Sequence, residues 1–85
     1  MIIINQHNTA AVFLGSGNMI CIKPISKKNN SGDKTTSYFI FFYNPNGNSC
    51  VMGVYEDLKT ATDKFNDLVD AYCTYKNREN YIYRI

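Results

Sequence analysis

Between Glu56 and Lys76, Leu58, Ala61, Phe65, Leu68, Val69 and Tyr72 recur at three- and four-residue steps. That spacing places them on one stripe of a 3.6-residue helix. Asp57 stands just before Leu58, where its carboxylate can accept from the free N–H groups of the first turn. Glu56 and Asp57 put negative charge at the positive end of the helix dipole, and Lys76 and Arg78 put positive charge at the other end. Lys59 and Asp63 are four apart and suited to an ion pair. A lone helix of about five turns is marginal in water. This one therefore requires a sheet beneath Phe65, Leu68, Val69 and Tyr72, and the rest of the chain must supply it.

The remaining segments read as strands. Ile2 to Asn5 is a short β-branched run, broken by Gln6-His7-Asn8-Thr9. Ala10 to Leu14 is a second strand, and Gly15-Ser16-Gly17-Asn18 turns the chain into Met19 to Ile25. Pro24 near the end of that strand suits an edge or a bulge. Ser26 to Thr36 contains no apolar residue and is expected to form an exposed, mobile hairpin tip. Tyr38 to Tyr43 is apolar on both faces. Asn44-Pro45-Asn46-Gly47-Asn48 is a tight turn into the antiparallel strand Cys50 to Tyr55, which leads into the helix. Tyr81 to Ile85 closes the chain as a strand.

The fold class expected is α+β. Residues 1–85 form one domain, with a strongly twisted antiparallel sheet in the order β-β-β-β-β-α-β and one helix packed on one face. One helix covers one face only. Tyr38 to Tyr43 and Cys50 to Tyr55 nevertheless lack the alternation of a half-exposed strand. Either the sheet curls on itself, or a second subunit covers it. The homo-oligomer, a dimer or higher, is the expectation.

Charge and cysteine usage narrow the function classes. Nine basic residues against seven acidic leave a net charge of +2. That excludes an acidic DNA mimic and gives little support to a general nucleic-acid binder. Cys21, Cys50 and Cys73 are an odd number without C-x-x-C spacing, and His7 is the one imidazole. No disulfide, no metal and no cofactor is expected. The thiols read as reduced and mostly buried, which points to a cytoplasmic protein. The opening apolar run, Met1 to Ile4, is too short for a signal peptide or a membrane span.

Met1-Ile2-Ile3-Ile4-Asn5-Gln6, the β-meander, Gly53-x-Tyr55 running into an amphipathic helix, and a Tyr-rich closing strand together carry a resemblance. The chain resembles a diffuse group of small proteins carried by phages and mobile elements of low-GC Gram-positive bacteria. Richness in Asn, Lys, Tyr and Ile fits that source. The shared features are structural, so no functional residue carries over. The long Ser26–Thr36 tip departs from the shorter hairpin of that group.

The candidate sites are surfaces rather than constellations. His7 reads as a turn residue with no local acid–base partner. Cys73 lies at the helix end that does not lower a thiol pKa, so packing is its expected role. Gly15-Ser16-Gly17 precedes a strand, not the helix a phosphate loop needs. Lys23, Lys27, Lys28 and Lys34 cluster on and beside the tip, where they could meet phosphates or simply solubilise a loop. Tyr38 to Tyr43 invites comparison with an RNA-recognition strand but lacks that motif's basic residue and glycines. Asp63, Asp67 and Asp70 line the helix face opposite the stripe. They are either a ridge for a basic partner or an ordinary solvated face.

The candidate partner-binding residues are therefore Lys27, Lys28, Lys34, Asp63, Asp67 and Asp70. The function expected is that of a non-enzymatic interaction protein, in the phage setting an inhibitor of a host defence system such as a CRISPR effector. Its target would be a protein or nucleoprotein. The alternatives are an oligomeric small-ligand binder, such as a cyclic-nucleotide sponge, and a small nucleic-acid-binding protein. With no acid–base or metal set to assign, an enzyme is not expected.

Overall fold

The computed structural model describes residues 1–78 and 80–85. The elements are β1 (Ile2–Ile4), β2 (Ala11–Phe13), β3 (Met19–Lys28), β4 (Lys34–Tyr43), β5 (Ser49–Tyr55), α1 (Leu58–Tyr75) and β6 (Ile82–Arg84). The α+β class and the element order match the sequence reading.

The strands divide between two sheets of three, ordered β2-β1-β6 and β3-β4-β5. β1 pairs antiparallel with β2 but parallel with β6, because the helix carries the chain back and returns it alongside its own start. β3, β4 and β5 form an antiparallel meander with a bulge opposite Ile40 and Phe41. Pro24 lies on β3, an edge strand, where a missing N–H is tolerated. Gly15 to Asn18 does turn, with Asn18 N–H donating to Gly15 O at 3.2 Å. It joins the two sheets rather than closing a hairpin.

Both sheets turn one face inward. Met1, Ile3, Ile40, Phe42, Met52, Leu68 and Tyr83 form one buried cluster, drawn from both sheets and the helix. Ala61 and Leu68 are the buried residues of α1, while Phe65 and Tyr72 are half-buried. Leu58 and Val69 differ from expectation and stand 53% and 39% exposed, because the stripe is wider than the surface beneath it. The helix starts as its sequence requires. Asp57 is extended, and its carboxylate accepts the Thr60 N–H at 2.7 Å and the Thr60 hydroxyl. Those bonds hold the Asp57 pKa below its ordinary value, the backbone one first. Lys59 and Asp63 form the ion pair at 2.8 Å. Tyr75, the last residue of α1, stacks on Tyr81 at 3.9 Å between ring centres.

The tip is shorter and more ordered than its composition implies. β3 runs to Lys28 and β4 begins at Lys34, so only Asn29 to Asp33 is loop. The Asn29 Oδ1 accepts from the N–H groups of Ser31 and Asp33, and Gly32 takes a φ of 83°. The other turn repeats this arrangement. Asn44 Oδ1 accepts from Asn46 and Asn48, and Gly47 has a φ of 86°. In both, glycine supplies the left-handed residue that closes the loop. The hairpin helps stretch the molecule to 49 × 27 × 20 Å.

All three cysteines are free. Cys21 and Cys50 are half-buried, whereas Cys73 is exposed rather than packed.

Candidate functional site

Alternation along β3-β4-β5 separates an inner face from an outer one. Ile20, Ile22, Ile40, Phe42 and Met52 point into the core. The register puts Met19, Cys21, Lys23, Ile25 and Lys27 of β3 on the other face. Beside them stand Thr35, Ser37, Phe39, Phe41 and Tyr43 of β4, then Ser49, Val51 and Val54 of β5. The helix lies against the inner face, and among the described residues no element covers the outer one.

Its centre is an aromatic row. Phe39 and Phe41 lie nearly parallel, 17° apart, with centroids separated by 5.8 Å; Phe41 and Tyr43 follow at 5.9 Å. All three are half-buried. Lys23 Nζ donates to the Tyr43 hydroxyl at 2.7 Å and lies 4.8 Å above the Tyr43 ring and 5.9 Å above Phe41. That hydrogen bond to the Tyr43 hydroxyl raises the Lys23 pKa above its ordinary value, and the ammonium rests on an aromatic surface. At the hairpin end of the row, Ile25, Lys27, Thr35, Ser37, Phe39 and Val54 surround a recess of about 290 Å³.

None of these outer-face residues is acidic. The charge is segregated along the chain. Residues 1–55 hold four lysines against one aspartate, and residues 56–85 hold five basic residues against six acidic. The β3–β4 hairpin carries the four lysines, whereas α1 with Glu56 and Asp57 before it holds five acidic residues against Lys59 and Lys64.

The lysines expected to act together are split. Lys27 lies on the aromatic face, while Lys28 and Lys34 pair across the strands on the opposite face. Lys23, set aside in the sequence as one of a loop cluster, is the cation the aromatic row holds. Strand periodicity was the signal: Lys23 and Lys27 differ by four and share a face, Lys28 does not.

The helix aspartates are not a uniform free ridge. Asp63 is paired with Lys59, and Asp67 accepts a hydrogen bond from the Tyr83 hydroxyl. Tyr83 belongs to the core, so Asp67 borders it rather than facing away. Burial first, then the Asp67 bond, pushes the Tyr83 pKa well up. Asp70 is exposed.

His7 is exposed in the turn after β1. Among the described residues, no three His, Cys, Asp or Glu side chains converge. A second concavity, about 240 Å³, lies between α1 and the β2–β3 turn, lined by Leu14, Ile20, Phe65, Val69 and Tyr72. Among the described residues, no helix is long and apolar enough to cross a membrane. No protein family, curated protein or solved structure matches the chain.

Proposed function

We propose that the protein is a non-enzymatic binding module whose outer β3-β4-β5 face holds single-stranded nucleic acid, free or exposed on a nucleoprotein. The observation that carries this reading is Lys23 bonded to Tyr43 above the Phe39–Phe41–Tyr43 row, on a face without carboxylates. Aromatic rings stack bases of any sequence, and lysines follow the phosphates.

The spacing of the rings favours a single strand. Their centroids are 5.8 and 5.9 Å apart. Bases in a duplex strand advance about 3.4 Å each. One base per ring therefore requires an extended, unstacked strand, the form in which bases are open to aromatic side chains. Such a surface suits the role drawn from the phage resemblance, because a CRISPR effector holds a displaced DNA strand unpaired.

Fluorescence anisotropy with a labelled mixed-sequence oligonucleotide tests the reading. Binding should exceed that of the matching duplex and weaken with salt, by about 0.7 in the log–log slope per phosphate contact. Phe41→Ala should cost about 1–3 kcal/mol of affinity, the worth of one stacked base. Equal binding of duplex and single strand, or no effect of Phe41→Ala, would refute it. So would burial of Phe41 in a stable dimer, seen by sedimentation, that excludes the oligonucleotide. In that case the face belongs to a second copy of the chain.

A further inference from the structure

We infer that the recess at the hairpin end of this face seats one complete nucleotide of the bound strand, base against Phe39 and phosphate at Lys27. The inference rests on the strand-binding reading above and assigns a register within it.

The recess has a chemical direction. Phe39, Ile25 and Val54 give it an aromatic and aliphatic end; Ser37, Thr35 and Lys27 give it hydroxyls and an ammonium. A nucleotide has the same order of chemistry: a flat apolar-faced base, a sugar with hydroxyl and ether oxygens, and an anion. The volume of about 290 Å³ sits near the lower end of small-ligand sites, roughly 300 Å³, the scale of one nucleotide rather than several.

Position in the sheet adds a second constraint. Phe39 begins the aromatic row that continues through Phe41 to Tyr43. A strand seated in the recess leads onto that row without changing direction. Lys27 pairs with Thr35 beside the recess, whereas Lys23 pairs with Phe39 and its Nζ reaches along the row to the Tyr43 hydroxyl at 2.7 Å, so the two ammonium groups mark the two ends of the path. The path accommodates three bases, on Phe39, Phe41 and Tyr43, with a phosphate contact at each end.

The test is an amide NMR titration of the full chain with a nucleoside 5′-monophosphate, beside the same nucleoside without phosphate. The largest shifts should fall at Thr35, Ser37, Phe39 and Val54. The phosphate should improve binding about two- to fivefold, as one exposed charge pair does. Lys27→Ala should abolish that preference while leaving the nucleoside's binding unchanged. Largest shifts at Phe41 and Tyr43, or a phosphate preference surviving Lys27→Ala, would overturn the inference. If the oligonucleotide still binds in that event, the face reading stands and only the register falls; if it does not bind, both fall. A mononucleotide held more tightly than the oligonucleotide would also overturn the inference, reassigning the recess to a free nucleotide.

Discussion

Gln6 binds the β5 edge as a strand would: its Oε1 accepts the Val54 N–H at 2.9 Å. Its own N–H donates to Met52 O at 2.8 Å. One residue beyond Asn5 thus bridges the sheet containing β1 to the sheet containing β5. It does so beside the bulge, where the ladder is irregular and its groups most need partners. The other long edge, β3, carries Pro24 instead, which discourages a further strand from adding there.

Gln6→Ala should therefore loosen the junction between the sheets. The loss of stability is expected to be about 0.5 kcal/mol, the low end for a hydrogen bond, because the bond is exposed. The sharper readout is amide exchange at Val54, which should quicken in Gln6→Ala and recover in Gln6→Glu, which keeps the acceptor. Unchanged exchange in the alanine variant would mean that the edge is protected by something else.

The helix stripe predicts where packing energy lies once burial is known. Leu68 is 1% exposed at the centre of the core, whereas Phe65 is half-buried at the rim of the groove beside Leu14 and Ile20. Leu68→Ala should cost about 2–5 kcal/mol. Phe65→Ala should cost roughly 1–2 kcal/mol, less than the roughly 3–5 kcal/mol of a fully buried phenylalanine. Urea unfolding of both variants decides the ranking; equal losses would place Phe65 at the centre after all.

These two residues show what could be read before the structure. Periodicity identified the helix and its start, because Asp57 and the stripe are local signals. It could not rank Phe65 against Leu68, since burial depends on where a narrow three-stranded sheet lies. The division into two sheets was also hidden. β1, β2 and β6 are three residues each, too short to carry register, and the parallel β1–β6 pairing is decided by how the helix returns the chain. The tip is the exposed hairpin expected, but how far its strands extend was hidden for a different reason. Ser26, Lys27, Thr35 and Thr36 are polar, yet they extend the hairpin by ladder bonds and a Ser26–Thr36 hydroxyl contact at 2.9 Å. A signal was present in Asn29-x-x-Gly32, which repeats as Asn44-x-x-Gly47. The aromatic face was legible as unalternating apolar residues, and strand periodicity groups Lys23 with Lys27, but the pairing of that group with the aromatic row came from the register.

Tyr83 should make the fold sensitive to alkali. Burial and the bond to Asp67 raise its pKa above the ordinary 10.0, so the folded state favours the neutral phenol. That contribution is fully present below pH 10 and is lost as pH rises through the folded pKa. Tyr55, raised by burial, acts in the same direction. Tyr83→Phe keeps the ring in the core but removes the ionisable group. Urea melts from pH 8 to 11 should show a shallower alkaline decline for the variant, with Tyr55 and the raised lysines Lys23 and Lys59 contributing to what remains. Parallel curves for the two proteins would separate Tyr83 from the alkaline transition.

The lysines offer a control built into one hairpin. Lys23 and Lys27 share the outer face with the aromatic row, while Lys28 and Lys34 sit opposite each other on the reverse face. All four are exposed, so replacing either pair by serine should leave the melting temperature almost unchanged. Removing Lys28 and Lys34 also relieves a like-charge pair directly across the strands. If the strand lies on the outer face, Lys23→Ser with Lys27→Ser should lower oligonucleotide affinity and flatten the salt dependence by about 1.4 in slope, two single-strand phosphate contacts. Lys28→Ser with Lys34→Ser should change the slope by much less, because its charges act only through the weak field around the hairpin. Equal effects from the two pairs would mean that the hairpin attracts the strand by total charge alone. The aromatic row would then have no part in orienting it.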